Sequence, residues 1–346
     1  MCRERPALRA RVLPRPARAA NVGRGAPNHF GRRWPHRIRS TGADANDPTD
    51  PTDPIERSKA SPRAGANGRG SVEEFVFDGS EQLSILTTLR EVSNFRECVW
   101  AFAVRGLRVR YAQAALGVGW AVLQPLVFLA VFVIFFGGIA GFGGGGSVGY
   151  AAFAIAALVP WQFVSSSVSF GGDALIGNAE LVRKVYFPRE APVLGTIGSY
   201  LPDLGIGLLL VLALAPITGA EIGWQIVFVP LLCVAILVPA VAVAIPLAGL
   251  AVYYRDFKYA LPTGVQLWFF ASPVVYPITV VSPEWRWLYA LLNPVVGMLE
   301  GFRRVLAEGA SPDWGLLGIS LASSLVLLLA GLRVFKRLEG EFADVI

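Results

Sequence analysis

The sequence predicts an all-α polytopic membrane protein. The predicted plan is six transmembrane helices, an N-terminal interfacial helix and re-entrant helices between spans five and six. Three observations lead there. Hydrophobic residues make up 54% of the chain and charged residues 16%, too apolar for a soluble domain of this length. Long runs carry no charge at all. The stretch from Ala271 to Arg304 is broken by Pro273, Pro277 and Asn293-Pro294 and studded with Trp285 and Trp287.

The basic pI near 9.4 does not point to nucleic acid, because the charge is unevenly placed. Residues 1–70 hold 15 Lys and Arg against 6 Asp and Glu, and the remainder holds 16 against 19. Residues 1–80 therefore read as a disordered, basic, Pro/Gly-rich tail, with a repeated DPTDPTDP, and 81–346 as the transmembrane domain. The first forty residues resemble an organelle transit peptide in being Arg-rich and acid-poor. A disordered tail, or a start codon set too far upstream, is the reading taken. Cys2, Cys98 and Cys233 are single and far apart, and both histidines lie in the tail. No metal site and no disulfide framework follows.

Residues 83–113 form an amphipathic zone with Phe95, Val99, Phe102 and Val109 toward one side and Arg105, Arg108 and Arg110 at its end. A basic, aromatic helix before a span lies in the lipid interface. From Tyr111 to Gly172 no residue is charged, and the glycine-rich GFGGGGSVG at 141–149 divides the run into spans at about 118–140 and 150–171. Its GxGxxG match has no βαβ context and reads as a loop. Span two carries the polar run Gln162 and Ser165 to Ser167, whose serines read as hydrogen-bonding to neighbouring helices rather than contacting a ligand. Residues 173–190 are charge-dense and helical in pattern, either a connecting loop or a docking element. Spans three (about 193–216) and four (about 225–252) contain a lone Asp203, read as hydrated near an interface. YYRDFK at 253–258 is a second charged loop, and 259–276 and 314–332 give spans five and six.

Between those last spans the prolines remove backbone donors and bend the chain. Tryptophan collects at the membrane boundary. From the residues alone this is a re-entrant cap or a span followed by an ordinary loop. Glu300 and Arg303, three apart, are placed to pair on one helix face where lipid is near. Lys and Arg concentrate on the side of 105–110, 183–189, 255–258 and 333–337. The positive-inside rule then makes both termini cytoplasmic.

No GxxxxGK[ST], HExxH, GxSxG or CxxC pattern occurs in the chain. Nothing here predicts an enzyme, and the energy for uphill transport has to come from elsewhere.

Four segments carry a resemblance: RGLRVRYAQAALGVGWAVLQPLVFLAVFVIFF (105–136), LVPWQFVSSSVSFGGDALIGNAELVRKVYFPRE (158–190), YYRDFKYALPTGVQLWFFASPVVYP (253–277) and LLNPVVGMLEGFRRVL (291–306). In this order they resemble the type-2 ABC transporter permeases, nearest the branch that exports polysaccharide, O-antigen and teichoic acid across the bacterial inner membrane. The VEEFVFDGSEQ stretch ahead of them departs from that pattern. The resemblance implies a half-transporter that forms a homodimer and binds two copies of an ABC ATPase subunit. ATP and Mg sit on that partner, and this chain binds no cofactor. It implies an interfacial helix at the cytoplasmic entrance, carried by Arg105, Arg108 and Arg110. It implies a coupling helix at 179–190, with Glu180, Arg183, Lys184, Tyr186 and Arg189 meeting the ATPase. It favours the re-entrant cap over an ordinary loop.

The expected substrate is a lipid-linked glycan. Trp161, Phe163, Tyr276, Trp285 and Trp287, with Glu300 and Arg303, are the expected channel or exit-cap residues, since aromatic faces stack on sugar rings. Many of these aromatics equally suit a core or an interface belt. Competing readings are an exporter of lipid or hydrophobic drug, an intramembrane glycosyltransferase active without an ATPase, and a passive membrane scaffold.

Overall fold

The computed structural model describes residues 95–340 and Phe342, apart from 113, 136–145, 185, 186, 255 and 341. The tail, the start of the amphipathic zone, most of the glycine loop and Tyr186 lie outside the described residues. Those described fold into helices α1 (Arg96–Tyr111), α2 (Gly119–Phe132), α3 (Gly146–Gly172), α4 (Ala174–Gly177), α5 (Ala179–Lys184) and α6 (Glu190–Gly198). There follow α7 (Leu201–Thr218), α8 (Val229–Tyr253), α9 (Phe257–Phe270), α10 (Arg286–Leu292), α11 (Val296–Leu306) and α12 (Trp314–Glu339). No strand occurs among the described residues.

Among the described residues four helical stretches are long and apolar enough to cross a membrane: Gly149–Gly172, Glu190–Thr218, Trp224–Tyr253 and Trp314–Glu339. The first is the axis of the fold. Its apolar window is 72% buried, against 28–33% for the other three, and α3 packs against α2, α6, α7, α8, α9 and α11. Small residues allow these approaches. A Cβ on Gly207 of α7 would stand 2.6 Å from Val159 Cγ1 of α3, and one on Gly331 of α12 would stand 3.1 Å from the Ala242 carbonyl of α8.

Several boundaries differ from the sequence reading. Gly146 to Gly149, assigned to a loop, begin α3. Span three starts earlier and in two pieces, α6 and α7, joined at Ser199-Tyr200, where the Ser199 hydroxyl donates to Thr196 O at 2.7 Å. Pro202 at the start of α7 fits a first turn whose N–H groups have no helical partner. Gly219 closes α7 at φ 68°, the left-handed position suited to glycine. The coupling helix expected at 179–190 is shorter: α5 ends at Lys184 and is followed by a corner at Phe187-Pro188, while α4 precedes it. On α1 the predicted face holds in part: Val99 and Phe102 pack against the core together with Ala103 and Gly106, whereas Val109 is 71% exposed. Ala103 and Gly106 let α1 lie directly on Gly195 and Gly198 of α6 and on Ser199 just after it.

The largest difference is span five. Apolar sequence continues to Tyr276, but α9 ends at Phe270. Fourteen residues at about 1.5 Å each make about 21 Å, short of a hydrocarbon core of about 30 Å. Pro273 stops the helix, because its ring meets the carbonyl four residues back and it offers no N–H. The carbonyls freed by the break are then taken by side chains. Asn293 Nδ2 donates to Ala271 O at 3.0 Å and Tyr289 Oη to the same oxygen at 2.8 Å. Arg303 donates to Pro273 O at 2.6 Å and Val274 O at 3.3 Å, and Tyr150 Oη to Val275 O at 2.9 Å. The indole of Trp268 donates to Asn293 Oδ1 at 3.0 Å, which fixes the amide's orientation. Irregular backbone among apolar helices is sustained only when protein groups satisfy it in this way.

Arg303 is 1% exposed. Its guanidinium also donates to Glu300 Oε2 at 2.8 Å and stacks on Phe153, 3.8 Å from the ring centroid. The pair forms as read from the sequence. It lies in the protein interior, however, between α11, α3 and the break after α9, and not against lipid. Asp313 caps α12, accepting from the N–H groups of Gly315 at 3.0 Å and Leu316 at 3.1 Å.

Candidate functional site

Helix α3 turns a polar stripe outward from the core. Gln162, Ser166 and Ser169 recur at helical spacing, with Ser165 beside them. They face two cavities. One, of about 270 Å³, lies between α2, α3 and α7 and is lined by Gln124, Gln162, Ser166, Trp120, Phe163, Phe170 and Tyr200, among others. The second, of about 300 Å³, lies between α2, α3 and α9. Gln124, Gln162 and Ser166 line it too, with Ser165, Ser169, Gln266, Trp161, Phe269 and Phe270. Amide and hydroxyl groups thus sit between aromatic walls. Ser165 and Ser166 are half-buried at the cavity walls, and the expected bond from the serines to a neighbouring helix is corrected for Ser167, whose buried hydroxyl has no hydrogen-bond partner among the described residues.

Trp161 and Phe163 line these cavities at mid-α3. Each is nearly buried, and Trp161 packs edge-on to Trp268 at 5.3 Å and against Phe269 at 5.7 Å. They are far along the chain from the cap, and Trp268, which bonds Asn293, links Trp161 to it. Trp285 and Trp287 lie on the α10 side of the cap and are more than half exposed. Tyr276 Oη is 2.9 Å from Tyr289 Oη. The seven residues grouped as channel or exit cap therefore fall into three places: the α3 cavities, the exposed rim of the cap, and the buried Glu300–Arg303 pair.

The three entrance arginines also separate. Arg105 donates to Asn178 Oδ1 at 3.1 Å, linking α1 to the α4–α5 turn. Arg108 is exposed and has no charged partner among the described residues. Arg110 is clamped. It pairs with Asp203 Oδ2 at 2.5 Å, donates to the Ser199 carbonyl, and lies 3.7 Å from the centroid of the Tyr200 ring. Tyr111 Oη donates to the other oxygen of Asp203 at 2.5 Å. Burial and that hydrogen bond push the Tyr111 phenol up to about 12, so it remains a donor at neutral pH. Asp203, expected to be simply hydrated, is held by two residues of α1, ninety-odd positions away in the chain.

The coupling segment divides likewise. Glu180, Arg183 and Lys184 are exposed on α5, with a solvent-facing Lys184–Glu180 pair at 2.5 Å. Such a pair holds little energy and leaves both groups available. Tyr186 lies outside the described residues. Arg189 faces inward: its Nε is 3.9 Å from Glu339 Oε1 on α12. Beside it Lys336 Nζ lies 2.7 Å from Glu190 and 2.8 Å from Glu339. Glu190 is 1% exposed. Tyr253 Oη donates to Leu338 O at 2.9 Å, and Phe342 packs on Tyr253 and Phe335. Phe187 packs on Phe102 of α1 at 5.6 Å. The corner after α5 is thereby joined to α1 on one side and to the end of α12 on the other, a junction with no signature in the sequence. Among the described residues no group of His, Cys, Asp and Glu is arranged to hold a metal ion.

A family model described as "ABC-2 type transporter" matches residues 97–307. The chain is 29% identical over 263 residues to the O-antigen export system permease protein RfbA of Myxococcus xanthus, covering 76% of this chain and 100% of that protein. It is 24% identical over 246 residues to the protein of the same name from Klebsiella pneumoniae, covering 70% and 92%. It is also 24% identical over 246 residues to the polysialic acid transport protein KpsM of Escherichia coli, covering 70% and 93%.

Proposed function

Because the chain belongs to the ABC-2 type transporter family, we propose that it is the membrane-spanning permease of an ATP-driven exporter of lipid-linked polysaccharide. The polymer, of O-antigen, capsule or teichoic-acid type, moves from the cytoplasm across the inner membrane. The chain works as a homodimer with two ABC ATPase subunits, which bind ATP and Mg. The names of its relatives support the substrate class, and the lack of a phosphate-binding GxxxxGK[ST] supports a separate ATPase. The observation that carries the reading is the paired cavities on α3, where glutamines and serines stand between tryptophan and phenylalanine rings. Sugars need both faces: rings to stack on and polar groups for hydroxyls. A path for lipid or apolar drug alone has no use for the amide and hydroxyl stripe.

In this reading α2, and α9 extended by the broken segment to Tyr276, complete six spans with α3, α6–α7, α8 and α12. Both termini are cytoplasmic, α1 lies in the interface, and α10 and α11 form re-entrant elements at the outer side. The exposed charges of α5 meet the ATPase, and the Arg189 corner passes its movement to α1 and α12.

Deleting the protein in its own host is expected to abolish surface polymer while lipid-linked polymer builds up inside. Unchanged surface polymer, or loss of polymer synthesis itself, would overturn the export reading, the latter in favour of a glycosyltransferase. The topology has its own test, in a background lacking Cys2, Cys98 and Cys233. Cysteines at Glu284 and Ser311 should react with an impermeant thiol reagent added outside, and one at Lys258 only after the membrane is opened. Ser311 is chosen over Asp313, whose carboxylate caps α12. Outside labelling at 258 would refute the orientation.

A further inference from the structure

We propose that the Arg110–Asp203–Tyr111 bridge is a ligand-displaced gate: the phosphate headgroup of an amphiphile takes the place of the Asp203 carboxylate on Arg110. For the identity of the amphiphile this rests on the export reading above.

The bridge stands between two unlike spaces. On one side is the cavity of about 270 Å³ with its glutamine and serine wall. On the other is a groove of about 410 Å³ between α1 and α7, lined by Leu107, Val118, Pro202 and Ile206 with Arg108 at its edge. Tyr111 and Asp203 line both. A molecule with an apolar tail in the groove and polar groups in the cavity has to pass its junction at this partition. Two arginines stand there, one of them uncommitted, so the junction suits an anion.

Arg110 is prepared for such an anion. Its plane is fixed by the Tyr200 ring at 3.7 Å and by the Ser199 carbonyl and hydroxyl. The group occupying its outer edge is one carboxylate, at 2.5 Å, on a side chain that is 23% exposed. A phosphate or diphosphate presents more oxygens and more charge to the same guanidinium and pairs with it bidentately. The displaced carboxylate is not stranded, because the Tyr111 hydroxyl already holds its second oxygen at 2.5 Å. Arg108, free on the groove side, supplies the second positive charge. Exchange of partner at Arg110 breaks the ion pair between the end of α1 and the start of α7 and leaves the Tyr111–Asp203 hydrogen bond as the tie that remains across the partition.

A static clamp and a displaced gate make opposite demands on Asp203, and this is the test. The probe is farnesyl diphosphate, titrated against the purified full-length protein in nanodiscs. Wild type is expected to bind it, with farnesol and inorganic pyrophosphate each far weaker. Asp203→Asn and Asp203→Ser remove the competing carboxylate and are expected to tighten binding by about tenfold, since less of the protein is held closed. Arg110→Gln is expected to abolish binding. Arg110→Lys should weaken it, because a point charge does not reproduce bidentate pairing. Tightening in either Asp203 variant together with loss in Arg110→Gln establishes the gate. Equal weakening in the Asp203 and Arg110 variants, or no change in any, makes the bridge a structural clamp and overturns the proposal. Equal competition by phosphatidylglycerol would assign the groove to bulk phospholipid and also overturn it. The assay needs neither ATPase nor export, so its failure is separate from a failure of the deletion experiment.

Discussion

Replacing Arg303 with alanine is expected to destabilise the protein by about 3–5 kcal/mol, the range for removing one partner of a buried ion pair. The substitution leaves Glu300 charged in the interior and strips the Pro273 and Val274 carbonyls of their donor. The measurement is the denaturant midpoint of the detergent-solubilised protein. Glu300→Gln should cost less, because the guanidinium keeps both carbonyls and its stacking on Phe153. The double change Arg303→Met, Glu300→Leu should recover part of the loss, since well-packed apolar groups can replace a buried pair. A midpoint for Arg303→Ala within about 1 kcal/mol of wild type, the range of an exposed pair, would contradict the placement of this side chain.

A comparable loss is expected for Lys336→Ala at the other end of the molecule. Glu190 has its carboxylate in the interior, and Lys336 is the cation nearest to it, at 2.7 Å. Removing that cation should cost about 3–5 kcal/mol. Swapping the charges, Glu190→Lys with Lys336→Glu, should restore part of the stability that either single reversal loses. The swap is incomplete by design: it puts a cation in the first turn of α6, where the helix dipole favours the acid that Glu190 supplies. If the double reversal is no better than the worse single one, the two residues do not act as a pair. On the proposed reading, Lys336→Ala in a complex with the partner ATPase should hydrolyse ATP but export poorly, because α12 is then tied less firmly to the Arg189 corner.

Much of the fold is legible in the sequence because charge is excluded from apolar surroundings. The uncharged runs at 111–172, 191–202, 204–220 and 314–332 hold α2 and α3, nearly all of α6, most of α7 and the first nineteen residues of α12. What hydropathy does not mark is where a helix stops. Ala271 to Tyr276 are apolar enough to prolong span five, and only the geometry of Pro273 ends it. The candidate site is less legible. Arg303 belongs to an amphipathic segment and a basic pair, which suggests exposure. Its burial follows from packing against α3 and the broken end of α9, contacts that no local pattern encodes. Asp203 and Arg110 are likewise ordinary residues until the fold places α1 across α7. Arg189 stands among charges that suggest a docking surface, and its partner Glu339 is 150 positions away. Gln162 with Ser165 and Ser166 is visible as a polar run, but only the helical frame shows that it faces cavities.

The way the break after α9 is satisfied sets an order on the making of this protein. Ala271, Pro273 and Val274 present their carbonyls early in synthesis, while their donors, Tyr289, Asn293 and Arg303, leave the ribosome up to thirty residues later. A nascent chain halted at residue 288 would hold these three carbonyls open with none of their donors yet made, and on the proposed topology each open carbonyl costs several kcal/mol in lipid. On the proposed topology α9 therefore needs shelter until α11 has emerged, and the stretch from Phe257 to Leu306 is expected to enter the bilayer as one block.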